Sequence, residues 1–159
     1  MKNSIIAVLL AVVLASSYVL PAAASDAFSG KVLQQLQLQH ENKRWLLLMW
    51  SLECPPCFKE LAAVAKLKSD NPNIPIILVN TDDDDSMTNE REQALTSMGL
   101  AQVPSYYFPD QQSMALRYAI DPMWHGELPR SFFYNQAGKQ KGYSGLLKGE
   151  QIKMWLLEH

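Results

Sequence analysis

Six consecutive apolar residues, Trp45-Leu46-Leu47-Leu48-Met49-Trp50, lie between Arg44 and Ser51, and Cys54-Pro55-Pro56-Cys57 follows almost at once. The run is too short for a buried helix and shows no polar alternation, which is the pattern of a strand covered on both faces. Proline suits the first turn of a helix, where its missing N–H leaves no bond unmade. Phe58, Leu61, Ala62 and Ala65 then recur at helical spacing. The chain must therefore bury a strand between two layers and turn from it straight into a helix that begins at the cysteine pair. That junction points to an α/β architecture with the sheet in the interior.

The remaining segments fit the same plan. A helix is expected over Phe28 to Glu41, with Val32 and Leu36 on one face, and a second buried strand over Ile74 to Val79. The aspartates Asp82 to Asp85 read as a solvated loop. A helix is expected from Met87 to Met98, with Ser86 as N-cap and Gly99 as its stop. A short strand within Val103 to Phe108, a helix over Gln111 to Ile120 and a loop from Asp121 to Leu128 come next. Arg130 to Asn135 and Gln140 to Tyr143 flank the turn Gln136-Ala137-Gly138-Lys139 as a hairpin. A last helix from Lys148 should bury Ile152, Trp155 and Leu156. Alternating strands and helices that finish in a hairpin predict a central mixed β-sheet with helices on both faces.

Residues 1–24 read as a signal peptide. Lys2 precedes an apolar run from Ile5 to Val13 that softens toward Leu20, and Pro21 leads into Ala22-Ala23-Ala24-Ser25. Cleavage is expected after Ala24, with Ala27 as the alternative site. A retained anchor would need about 20 predominantly apolar residues, and Pro21 with its alanines favours cleavage. The expected location is the periplasm. Residues 25–159, roughly 135 in number, suffice for one domain with its own core and are too few for two. The chain carries 14 Lys plus Arg against 16 Asp plus Glu, and losing Lys2 leaves a net charge of about −3. This argues against nucleic acid as a partner, and no basic amphipathic stretch suggests binding to a membrane surface.

The chain has only two cysteines, both in one C-x-x-C, so no framework of bridges staples the domain. Cys54 stands where a helix begins, and the partial positive charge of a helix N-terminus favours thiolate over thiol. Cys54 is the expected nucleophile. Cys57, one turn further on, is the resolving cysteine that would attack a mixed disulfide at Cys54. A zinc site would need further ligands, and His40, His125 and His159 show no paired spacing. A purely structural bridge would close too short a loop to remove much chain entropy.

The segment Met49-Trp50-Ser51-Leu52-Glu53-Cys54-Pro55-Pro56-Cys57-Phe58-Lys59-Glu60-Leu61 resembles the active-site region of the thioredoxin superfamily. It is most similar to the TlpA-type exported branch, which includes the reductases of cytochrome c maturation. Gly126-Glu127-Leu128-Pro129-Arg130-Ser131-Phe132-Phe133, followed by Asn135 and Gly138, is similar to that family's cis-proline strand and turn. The resemblance spans about residues 40 to 158 and implies a thioredoxin-like fold. It also implies a cis Pro129 beside the dithiol, with the Leu128 backbone and Trp50 at the peptide-binding groove. A cis bond is costly for any other residue, which accounts for proline there. Glu60 matches an acidic position thought to move protons at the second cysteine, where a partly apolar setting would raise its pKa. Two positions depart from the pattern. Glu53 replaces a usual tryptophan, and Leu48 occupies the place of the buried acid of typical thioredoxins.

The implied activity is thiol–disulfide exchange, as reductase or isomerase, on the thiols and disulfides of exported proteins or peptides, with a membrane-bound electron donor and no cofactor. An alternative is a redox-inactive thioredoxin-like adaptor or chaperone of an exported complex, which Glu53 and the polar stretch Asp82 to Glu92 would suit. Copper delivery by the cysteine pair is a third reading, without Met-rich or His-rich tracts behind it. His125, with Trp124 ahead of Pro129, is a candidate for tuning the thiols.

Overall fold

The computed structural model describes residues 25–157. The signal peptide expected over 1–24 and the candidate ligand His159 lie outside the described residues. The elements run β1 (Asp26–Ala27), α1 (Gly30–Gln39), β2 (Trp45–Trp50), α2 (Pro55–Asp70), β3 (Ile76–Asn80), a 3-10 turn (Asp85–Met87), α3 (Thr88–Ser97), β4 (Ser105–Tyr107), α4 (Ser113–Ile120), β5 (Arg130–Tyr134), β6 (Gln140–Ser144) and α5 (Gly149–Leu157).

The strands form one mixed sheet in the order β1-β4-β3-β2-β5-β6. β1, β4, β3 and β2 pair in parallel, whereas β5 is antiparallel to β2 and β6 to β5. β2 lies inside the sheet, so its period-two alternation feeds two cores. Leu46, Leu48 and Trp50 pack with Leu61, Val64 and Leu67 of α2, Leu95 of α3 and Ile152 and Leu156 of α5. Trp45, Leu47 and Met49 pack with Leu33 and Leu36 of α1 and Leu116 and Ile120 of α4. All six are fully or almost fully buried, and at about 2 kcal/mol for each large apolar side chain removed from water this strand anchors both layers. Among the described residues no helix is long and apolar enough to cross a membrane.

Departures from the sequence expectation have local causes. β1, a two-residue edge strand, carries no periodicity to read. β3 begins at Ile76 because Pro75 has no N–H to give to a ladder; its carbonyl still accepts from the Leu46 N–H at 3.0 Å. Asp84, rather than Ser86, caps the 3-10 turn ahead of α3, its Oδ1 accepting from the Ser86 N–H at 2.9 Å. Gly99 does end α3 at φ +72°, with the Leu100 N–H reaching the Leu95 carbonyl at 2.8 Å, a Schellman closure. In α1 the buried residues are Leu33 and Leu36, with Val32 packed at the rim. Trp155 is half-buried rather than buried: it packs on Phe133 with ring centres 4.5 Å apart and lies under the Arg44 guanidinium.

Candidate active site

β2 delivers the chain to the end of the sheet at Trp50, and a small polar bracket redirects it there. The Asp82 carboxylate accepts from Ser51 Oγ at 2.6 Å, from the Leu52 N–H at 2.8 Å and from Asn80 Nδ2 at 2.8 Å. The Thr81 N–H donates to the Trp50 carbonyl at 2.8 Å. The end of β3 thus holds the start of the turn that carries Cys54. Asp82, expected to be merely solvated, is therefore a structural anchor, as Asp84 is at the 3-10 turn. No local signal separates Asp82 from its neighbours; only the parallel pairing of Trp50 with Asn80 brings it under Ser51.

Cys54 is the N-cap of α2, and its Sγ accepts from the Cys57 N–H at 3.2 Å. The two sulfurs are joined as a disulfide, S–S 2.00 Å and Cα–Cα 5.3 Å. Cys54 retains 8% of its surface while Cys57 has none, so an incoming sulfur meets Cys54 first. The prolines between them are exposed and have no N–H to satisfy.

Glu60 lies one helical turn beyond Cys57 and is fully buried. Its Oε1 accepts from the Leu147 N–H at 3.3 Å and from Ser131 Oγ at 3.4 Å, while Oε2 has no hydrogen-bond partner. Burial pushes its carboxyl from 4.5 up to about 7, against the lowering effect of those two hydrogen bonds. Ser131 pairs directly with Leu48 across the β2–β5 ladder. Glu60 thus enters from the helix the layer that Leu48 and Ser131 border.

The β2–β5 register, which pairs Met49 with Arg130, sets Pro129 at the level of Trp50, at the dithiol end of the sheet. The Leu128–Pro129 peptide is cis. Leu128 is partly exposed and packs against both cores, including the one that contains Cys54 and Cys57. Trp50 requires a correction. It is 0% exposed, edge-on to Phe58 with ring centres 6.2 Å apart, so its indole cannot meet a peptide and instead backs the turn from inside. It lies on the inner face because the side chains of β2 alternate from Leu46 and Leu48. Glu53 is exposed, and His125 is exposed on the α4 side, where it lines a shallow hollow with Met114, Arg117 and Tyr118.

No protein-family model and no curated protein matches this chain. Solved structures do. A secreted disulfide oxidoreductase of Mycobacterium tuberculosis, homologous to Escherichia coli DsbE, superimposes with a TM-score of 0.59 at 16% identity, over 75% of this chain and 84% of that one. StoA from Bacillus subtilis gives 0.54 at 24% identity, over 74% and 85%. A secreted thiol-disulfide isomerase of Corynebacterium glutamicum gives 0.59 at 16%, over 76% and 72%.

This chain has a thioredoxin-like fold.

Within the thioredoxin-like fold, the C-x-x-C pair at the start of α2 and the cis-proline at the start of β5 come from distant parts of the chain. The antiparallel β2–β5 pairing brings them to one end of the sheet.

Proposed function

We propose that this chain is a periplasmic thiol–disulfide oxidoreductase, exported by a signal peptide over residues 1–24, that works as a reductase or isomerase on exported proteins. The observation that carries the reading is the dithiol at the head of α2, with the Cys57 N–H aimed at Cys54 Sγ and a protonatable carboxyl buried one turn below. Support for export comes from the Lys2-to-Ala24 pattern and from structural neighbours that are themselves secreted.

In the reducing direction the Cys54 thiolate attacks a substrate disulfide, forming a mixed disulfide and expelling one substrate thiolate. Cys57 then gives up its proton and attacks Cys54 Sγ, which releases the second substrate sulfur and closes the Cys54–Cys57 bond. Two electrons pass to the substrate. Glu60 is the proton acceptor for Cys57, with a carboxyl near 7 able to take and return a proton around neutral pH. Leu128 offers its backbone to the incoming peptide, and cis Pro129, whose carbonyl is held by the Gly145 N–H at 2.9 Å, fixes the chain beside it. A membrane-bound electron donor regenerates the dithiol in the oxidising compartment.

The test is substitution of each cysteine. Cys54→Ser is expected to abolish reduction of insulin disulfides, and Cys57→Ser to accumulate mixed disulfides with exported proteins, seen as thiol-sensitive bands of higher mass. Full activity in Cys54→Ser would refute the reading. Complementation of a deletion strain by the double Cys→Ser variant would favour the adaptor alternative instead.

A further inference from the structure

The segment from Asp121 to Leu128 is expected from sequence to be an ordinary loop, yet one side chain holds both of its ends. Arg130, the first residue of β5, points to the same face as Phe132 and Tyr134, away from the dithiol helix. Its guanidinium lies 4.9 Å from the centre of the Phe132 ring. It occupies space that Gly142 on β6 leaves open, where any Cβ would collide with Nη2 and Cζ. Nη2 donates to Asp121 Oδ2 at 2.8 Å, and Nη1 donates to Glu127 Oε1 at 3.2 Å and to Ser144 Oγ. The Glu127 carboxylate in turn accepts from Ser144 Oγ at 2.7 Å and from the His125 N–H at 3.2 Å. Between these anchors Trp124 is buried, and its Nε1 donates to the Glu127 carbonyl at 3.0 Å. The Arg130 side chain is only 11% exposed.

We propose that Arg130 is a positioning residue that holds the Asp121–Leu128 loop so that the Leu128 backbone, next to cis Pro129, is ready to receive a peptide. The proposal rests on the oxidoreductase reading above. Leu128 touches both cores, so a displacement of the loop reaches the dithiol side of the sheet. Without the clamp the loop samples other arrangements, and apparent affinity falls by the fraction of molecules still competent to bind. Exchange chemistry at Cys54 does not involve the clamp, which lies on the opposite sheet face. Three acceptors, Asp121 and Glu127 from the two ends of the loop and Ser144 from β6, suit the planar fork of arginine, and a lysine point charge cannot reproduce it.

The test compares wild type, Arg130→Met, Arg130→Lys and Glu127→Gln on two oxidants of the reduced protein, insulin and a small aromatic disulfide. Thermal unfolding checks that each variant is folded. Arg130→Met should raise KM for insulin about tenfold with kcat within about twofold, and leave the small-disulfide rate within about twofold of wild type. Arg130→Lys should fall between. Glu127→Gln, a milder change at a half-exposed residue, should raise KM by about threefold and carries the test if Arg130→Met does not fold. An active wild type with KM unchanged in the variants would overturn this assignment alone, as would equal losses on both oxidants in a folded variant. A wild type inactive on both would overturn the proposed function and this inference with it.

Discussion

Glu60→Gln should reshape the dependence of stability on pH. In the folded protein the carboxyl holds its proton up to about 7 against 4.5 when exposed. At about 1.36 kcal/mol per pH unit, ionising it in place costs about 3 kcal/mol. The folded state binds the proton more tightly than the unfolded state, so this stability is fully present below about pH 4.5 and is lost as pH rises through about 7. Glutamine has the same shape and never ionises. The variant should therefore lie near wild type at pH 4, offset by about 1 kcal/mol for an amide N–H without a partner where Oε2 now sits. By pH 8 it should have gained about 3 kcal/mol relative to wild type. Urea unfolding of the oxidised proteins, followed by tryptophan fluorescence from pH 4 to 8.5, measures the difference. His40 works in the opposite sense: burial and then Lys43 lower its pKa, so it contributes stability above about 6.5 that is lost as pH falls. It is common to both proteins and cancels in the difference. A flat difference across the range would show that the Glu60 site is wetter than its zero exposure indicates, and the proton-acceptor role would fall with it.

Asp82→Ala removes the acceptor of Ser51 Oγ, the Leu52 N–H and Asn80 Nδ2. It should cost about 2 kcal/mol and slow reduction of the Cys54–Cys57 bond by dithiothreitol; urea unfolding and stopped-flow reduction check the two parts separately. Arg91→Ala should destabilise by about 3 kcal/mol in urea unfolding. Its fully buried guanidinium donates to the Asp84 carbonyl at 2.8 Å and to Thr88 Oγ1 at 3.0 Å and stacks 4.3 Å from the Tyr107 ring centre. A loss below about 1 kcal/mol would mean that water replaces these contacts.

The elements that carry the chemistry were legible because their signals are local. An apolar run of six residues bounded by Arg44 and Ser51 has the length and flanks of a covered strand, Pro55 and Pro56 mark a helix start, and Glu60 stands one turn from Cys57 whatever surrounds the helix. The hairpin was equally plain. Its boundary shifted by one residue because Asn135 turns its side chain onto the Ala137 and Lys139 N–H groups, at 3.0 and 2.9 Å, and leaves the strand. Pro129 was reached by resemblance rather than periodicity, since nothing in a single proline's neighbours dictates a cis bond.

What the sequence by itself determined is the layer order, the buried strand with its dithiol helix, and the candidate thiols. Those properties follow from side-chain period and from residues that restrict the backbone within a few positions. Only the tertiary structure decided that Asp82 braces the dithiol turn, that Arg130 ties the loop ahead of Pro129, that Arg91 is buried, and that Trp50 faces inward and not toward a ligand. Each of those depends on groups far apart in the chain meeting across the sheet. Charge and polarity state that a residue needs partners, but strand register and packing choose which partners it finds.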